Sequence, residues 1–528
     1  METTAESPVF EHTSLDRDRL AALADRVETA GDGDEIAVVT PITDERVGTV
    51  PACDAVDVDA AVSNARRLQA AWAATPMAER RAVIERFGDL VSEHRETLLD
   101  LVQLETGKAR HHALEEVLDV PLTCSYYAEN GPAVLADEDR SGAVPGITTT
   151  RVVREPLGVV GVIAPWNYPL TLATTDAIPA LLAGNAVVCK PDERTPFVAL
   201  ALAELLAAAG LPADCFSVVT GEGATVGPAL IDRVDYVAFT GGTETGREVA
   251  AQAGRNLIGA SLELGGKNPL VVLDDADPET AARGAAKGAF TNAGQLCLAP
   301  ERIYVDETVY DEFIDAFVGT TRRLRLGLAF EYGPDVGSLI DGDHSEAVAD
   351  AVDDAVAGGA SVLTGGRERP DVGPHCYEPT VLTDVDHDAP IAREETFGPV
   401  VSVWPVPDAE TAIERANDSA YGLTASVFTD DRARGRAVAR EIDCGTVCVN
   451  DPYTVGWAAM DAPMGGVGDS GLGRRHGPEG IDRFQRSRTI ATSRIGPLDA
   501  PIGVDPGRYA HLMSGLAAVQ RRLMRWIP

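Results

Sequence analysis

From residue 152 onward, short apolar runs at 157–164, 186–190, 215–220, 234–240, 262–264 and 270–273 alternate with helical-period segments such as 195–209 and 243–253. Strand and helix in alternation predict right-handed crossovers and a parallel sheet covered by helices on both faces. A second alternation begins near residue 278 and runs through 302–305, 361–364, 400–404 and 446–450. The expectation is an α/β protein with two such domains. Ahead of them, 57–74 and 78–103 carry Ala, Val, Leu and Phe at three- and four-residue steps and read as surface helices. Segments 148–154 and 488–493 read as short polar strands of an oligomerisation element.

Charge narrows the partners. The 528 residues include 45 basic and 82 acidic side chains, a net charge of -37, which repels phosphate backbones and makes nucleic acid an unlikely partner. Only four of the basic residues are lysine, at 108, 190, 267 and 287. An acidic, lysine-poor composition suggests a halophile, since dense carboxylates stay hydrated when salt screens their repulsion. No run reaches the ~18 apolar residues of a membrane span, and the first 20 residues are acidic, so a cytoplasmic protein is expected. Eight scattered cysteines have neither disulfide density nor zinc-site spacing.

Three residues could carry chemistry. Cys297, in Asn292-Ala293-Gly294-Gln295-Leu296-Cys297, follows a small-residue turn that could present a thiol to a cleft; a thiol attacks carbonyl carbon only with a depressed pKa or a nearby base. Read alone, it is more often packing. Glu263, between Leu262 and Leu264 and before Gly265-Gly266-Lys267, is costly to bury unless paired, and burial would raise it toward the range of a general base. An ion pair with Lys267 is the alternative. Asn167 stands in Trp166-Asn167-Tyr168-Pro169 at the end of run 157–164, where open α/β sheets place ligands and an amide can donate to a developing oxyanion; an ordinary turn asparagine is the plainer reading.

Cofactor signals follow the same strand ends. Lys190, in Lys190-Pro191-Asp192-Glu193, could bond ribose hydroxyls or phosphate, and Glu193 could accept from two ribose hydroxyls while repelling a 2′-phosphate. Phe239-Thr240-Gly241-Gly242-Thr243-Glu244-Thr245-Gly246 joins strand to helix, so its amides could receive a pyrophosphate. Glu395 and Phe397 offer a ribose acceptor and an apolar face for a nicotinamide ring; a solvated acidic turn and a core phenylalanine are the alternative.

Together, in order and spacing, these boxes resemble the NAD(P)-dependent aldehyde dehydrogenases over residues 30 to 497. The resemblance implies an aldehyde dehydrogenase-like fold, with a Rossmann-type cofactor domain (1–136 and 156–265), an α/β catalytic domain (266–465), an oligomerisation element (137–155 and 482–497) and an amphipathic tail (498–528). It implies a homodimer or homotetramer acting on a small aldehyde. Cys297 would attack the aldehyde, the Asn167 and Cys297 amides would hold the oxyanion, and Glu263 would activate water against the thioester. Trp166, Lys190, Glu193, Phe239, Gly241, Gly242, Gly246, Leu264, Glu395 and Phe397 would hold NAD, preferred over NADP because of Glu193. No metal is implied. Transfer to coenzyme A and a catalytically silent relative are weighed down by the presence of Glu263 and of the intact trio.

Within the family, residues 337–340 and 469–480 look most like a succinate-semialdehyde dehydrogenase-like branch. Better known enzymes of that activity use two arginines for the substrate carboxylate where this chain has Thr175 and Thr291, and a second cysteine where it has Ala299. Many relatives have Glu where Arg475 stands. The tail places Tyr509, Leu512, Met513, Leu516, Val519, Leu523 and Ile527 at helical steps beside Arg521, Arg522 and Arg525, which suggests a subunit contact rather than a membrane surface.

Overall fold

The computed structural model describes residues 8–29, 33–142, 144, 146–496 and 503–523. The chain forms two compact units: one of residues 1–135 and 156–485, the other of 136–155 and 486–528.

The first unit holds both expected sheets. The six-stranded sheet runs Gly471–Leu472, Gly259–Glu263, Tyr236–Thr240, Val159–Ile163, Ala186–Lys190, Phe216–Val218, parallel except for the short first strand. Chain order moves outward on one side of Val159–Ile163 and then returns to its other side at Tyr236–Thr240. That reversal opens a crevice at the carboxyl ends of the two adjacent strands, the place where such sheets take ligands. Both Ala186–Lys190 and Tyr236–Thr240 are buried along their whole length, as a parallel sheet covered on both faces requires. Helices Pro169–Leu182 and Pro196–Ala208 each begin on a proline, whose fixed φ and missing N–H suit the first helical turn.

The seven-stranded sheet runs Ser361–Thr364, Thr380–Thr383, Val400–Val406, Pro300–Asp306, Asn268–Val272, Thr424–Phe428, Thr446–Val449, with only the first pair antiparallel. Each sheet has its own apolar core, with Leu181, Val188 and Leu202 in one and Val271, Ile303 and Val427 in the other.

The helical stretch expected at 78–103 is two helices, Met77–Glu93 and Arg95–Thr106. His94 between them leaves helical geometry at φ -100°, ψ 18° and turns its ring Nδ1 onto Leu90 O at 2.9 Å. The next helix, Arg110–Val134, is the longest in the chain among the described residues. Sequence periodicity did not reveal it, because it buries groups as polar as His112, Glu116 and Asp119.

In the second unit, Glu138–Ser141 pairs antiparallel with Thr148–Pro156, which also pairs with Gln485–Ser493. The expected polar strands are therefore there, each slightly longer than anticipated. Helix Pro506–Leu523 exposes Leu512, Leu516 and Val519; Arg525 and Ile527 lie outside the described residues. Among the described residues no helix is long and apolar enough to cross a membrane.

Candidate active site

The turn after Val159–Ile163 carries Trp166 and Asn167, and Tyr168 immediately precedes helix Pro169–Leu182. Asn167 is buried, and its side-chain amide donates to the backbone carbonyl of Gln295 at 3.0 Å. A primary amide has two N–H groups, so one bond fixes the orientation and leaves a second donor. Glu263 ends strand Gly259–Glu263 opposite Thr240. It is buried, and neither carboxyl oxygen has a hydrogen-bond partner. Burial pushes its pKa up to about 7, against the opposing pull of Arg475. The alternative pairing with Lys267 is not formed: Lys267 is bonded to Glu301 instead.

Cys297 comes from the other sheet. Helix Pro278–Phe290 ends in a tight 3-10 turn, Thr291–Gly294, in which Asn292 and Ala293 take φ of 52° and 55° and Gly294 takes 74°. A Cβ at Gly294 would run into the backbone of Gly398, so only glycine fits. The Cys297 carbonyl is then held by Asn268 Nδ2 at 2.7 Å. Its thiol is half-buried, and burial together with Glu395 and Glu263 pushes its pKa up to about 12. Of the two routes to a nucleophile, a depressed pKa is thus not used, which leaves a nearby base.

Two cavities meet at this residue. One, of about 230 Å³, is lined by Trp166, Asn167, Gly241, Gly242, Glu263, Leu264, Cys297, Glu395 and Phe397 among others. The second, of about 190 Å³, has apolar walls that include Tyr168, Leu172, Leu296, Trp457 and Met460, with Glu115 and Asp119 in the lining. Asn167 and Cys297 line both.

Four of the expected cofactor residues stand outside that lining. Lys190 is buried at its strand end with its ammonium 3.0 Å from the half-buried Glu193. Phe239 packs in an apolar cluster with Val249, Leu262 and Leu264. Gly246 lies in the first turns of helix Thr243–Asn256, where a Cβ would collide with Leu264.

The structure also brings in residues that sequence reasoning missed. Lys108 is fully buried, with Nζ 2.6 Å from Glu116 Oε1 and 2.6 Å from the Asn167 carbonyl, and it sits 3.9 Å from the centre of the Tyr168 ring. Glu116 in turn accepts the Leu170 and Thr171 N–H groups. Glu301 accepts from the Thr396 and Phe397 amides at 2.9 and 3.0 Å, which holds Phe397 in its left-handed conformation at φ 54° and edge-on to Trp166 at 5.5 Å. Three of the chain's four lysines, 108, 190 and 267, are buried; Lys190 and Lys267 are singled out by the sequence, and the rarity of lysine is the signal that could have found Lys108.

A dinucleotide suits these residues. The Gly241-Gly242 turn opens the amino end of helix Thr243–Asn256, whose first N–H groups are unpaired within the helix and favour an anion. Buried Lys190 with Glu193 offers donor and acceptor for a ribose, and Glu395, pushed up to about 8 by burial and by Glu301, offers another acceptor beside the thiol. Among the described residues no cluster of ligands suits a metal ion.

A doubly wound sheet facing a thiol, a partnerless carboxyl and an oriented amide defines a nucleotide-dependent enzyme of covalent carbonyl chemistry. Residues 28–490 match the aldehyde dehydrogenase family, and the chain belongs to it. It is 50% identical over 473 residues, 90% of each chain, to a Mycobacterium ulcerans (strain Agy99) protein named "Putative succinate-semialdehyde dehydrogenase (NADP+) 2". Over 460 residues, 86% of this chain and 94% of the other, it is 36% identical to an Escherichia coli (strain K12) succinate-semialdehyde dehydrogenase (NADP+). Among solved structures, betaine aldehyde dehydrogenase from Staphylococcus aureus in complex with NAD+ superposes with a TM-score of 0.86 at 33% identity, covering 93% of this chain and 99% of that one.

Proposed function

We propose that this chain oxidises an aldehyde to its carboxylic acid through a covalent bond to Cys297, with a nicotinamide dinucleotide in the cavity shared by Trp166, Glu263 and Phe397. The observation that carries this reading is the position of Cys297 and Asn167 where two cavities meet, one with dinucleotide-type residues and one with apolar walls.

The roles follow from the surroundings of each side chain. Glu263, with two unpaired oxygens, takes the thiol proton while Cys297 Sγ bonds to the aldehyde carbon. The carbonyl oxygen becomes an oxyanion, and the second N–H of the Asn167 amide and the Cys297 backbone N–H hold it. When bound, the oxidised dinucleotide supplies the acceptor for the hydride that leaves the carbon. A thioester remains on Cys297. Glu263 gives the thiol proton up to solvent and then removes a proton from water; the water oxygen bonds to the carbonyl carbon, the C–S bond breaks, and Glu263 passes its proton to the leaving sulfur, so that the acid and the free thiol are released. The six-stranded sheet serves the dinucleotide and the seven-stranded sheet presents the nucleophile.

Cys297→Ala is expected to abolish aldehyde-dependent reduction of the dinucleotide while leaving dinucleotide binding intact. Glu263→Gln is expected to give at most one reduced dinucleotide per site before stalling. Steady turnover by either variant overturns these roles.

Succinate semialdehyde comes to this chain from the names of its relatives. A second reading, an uncharged aliphatic or aromatic aldehyde, is favoured by the cavity on the far side of Cys297. Its described lining includes Glu115 and Asp119 and no Arg, Lys or His, and Thr175 and Thr291 stand where better known enzymes of that activity place arginines. Comparing kcat/KM for succinate semialdehyde with that for a four-carbon uncharged aldehyde decides between them. For the dinucleotide, Glu193 supports NAD over NADP.

A further inference from the structure

Arg475 is 2% exposed. One nitrogen of its guanidinium donates to Asp176 Oδ2 and to Thr240 Oγ1, both at 3.0 Å. The other oxygen of Asp176 is bonded to Arg483, which is also buried in this cluster. Two guanidinium groups therefore share one carboxylate, and a buried positive charge is left over.

That charge lies behind Glu263. Thr240, which accepts from Arg475, is the cross-strand neighbour of Glu263. Met464 and Arg475 exchange backbone hydrogen bonds at 2.7 Å, and a Cβ on the next residue, Gly465, would stand 3.2 Å from Glu263 Oε1. The Arg475 Nε–H has no partner, and neither do the two Glu263 oxygens. A buried carboxylate without a counter-charge is costly to ionise.

We propose that Arg475 is a positioning residue for the base: with Asp176 and Arg483 it places one unbalanced positive charge against which Glu263 ionises in a dry interior. The same charge acts on Cys297, which feels Arg475 as well as Glu263 and Glu395. The other groups around it are Arg474, half-buried and bonded to the Gly466 and Gly473 carbonyls; His476, kept neutral by a pKa that burial lowers to about 3; Asp119, which accepts from Trp457; and Tyr127 and Tyr236 beside Arg483. Asp119, pushed up to about 7 by burial, also feels Arg475 and competes with Glu263 for its charge, while the neutral groups supply no counter-charge.

The inference rests on Glu263 being the base, and its test is a pair of substitutions with opposite sign. Arg475→Gln removes the surplus charge, so the acid limb of the kcat–pH profile should move up by about one unit, a tenfold loss at pH 6. Asp176→Asn increases the surplus, so the limb should move down. Arg475→Lys should keep it in place. Each variant is checked by thermal melting and dinucleotide binding, and if Arg475→Gln does not fold, Asp176→Asn and Arg475→Lys carry the test. A purely structural role would lower kcat at every pH with no movement of the limb. Limbs that stay put, or that move the same way in both variants, overturn the proposal. Failure of the underlying reading is distinct, because Glu263→Gln would then retain steady turnover.

Discussion

The side-chain amide of Asn167 and the backbone carbonyl of Gln295 are joined at 3.0 Å, two residues before Cys297. That bond ties a turn of the six-stranded sheet to the nucleophile turn preceding the seven-stranded one. It occupies one N–H of the amide and leaves the other for the oxyanion proposed to form on a Cys297 adduct. Asn167→Ala is therefore expected to lower kcat by about 10²–10³, the usual cost of one oxyanion donor, with dinucleotide affinity unchanged. Stopped-flow measurement of the first turnover checks it, since the loss should already appear in adduct formation.

Lys108 holds the same turn from the other side. In Lys108→Met the Asn167 carbonyl loses one of its two donors, keeping Asn292 Nδ2 at 3.1 Å, and Glu116 is left buried beside two backbone amides with no cation. A broken buried pair costs about 3–5 kcal/mol, so a marked drop in melting temperature and a lower kcat should appear together. Removing both partners in Lys108→Met/Glu116→Gln should restore much of the stability without the full activity, because the uncompensated charge is gone while the Asn167 turn still lacks the ammonium and is held by Asn292 and Gln295 alone. Recovery of both would show that Lys108 acts through stability alone.

The contrast between these two residues shows what a sequence can disclose. Asn167, Glu263, Cys297 and Glu395 stand at turns beside strand ends, and short unbroken apolar runs mark strand ends locally; all four line one cavity. Lys108 and Glu116 sit in a stretch where the sequence shows no apolar period, and their meaning comes from partners 54 to 59 residues away. Arg475 is more distant still, bonded to an aspartate 299 positions earlier. The two sheets were legible for the same local reason as the strand-end residues. The reversal of strand order that creates the crevice was not, because adjacency between Val159–Ile163 and Tyr236–Thr240 is a tertiary fact.

Glu263 also predicts a pH dependence with a definite sign. Its pKa rises from an ordinary 4.5 to about 7 because burial disfavours the charged form. A base works deprotonated, so thioester hydrolysis should be flat above pH 7 and fall tenfold per unit below it. Stability runs the other way. A carboxyl that binds its proton more tightly when folded contributes fully below the unfolded value and loses that contribution as pH rises through the folded one. Glu263→Gln should thus gain melting temperature relative to the parent at pH 8 and gain least at pH 5. A difference independent of pH would mean that Glu263 is not titrating in this range.

Glu193 is expected to set the choice of dinucleotide. Its carboxylate, paired with Lys190 at 3.0 Å, stands at the end of a strand beside the crevice, where it can accept from ribose hydroxyls but repels a phosphate. Two like charges ~4 Å apart cost about 4 kcal/mol at an effective dielectric of ~20, and the half-exposed position reduces this. Glu193→Ala removes the repulsion and frees the Lys190 ammonium, so kcat/KM for NADP should rise and that for NAD should fall, shifting their ratio by tenfold or more. The parent should favour NAD in the same assay, although its mycobacterial and Escherichia coli relatives are named for NADP. A parent that prefers NADP with Glu193 in place would mean that Lys190 reaches the 2′-phosphate directly and the carboxylate swings aside.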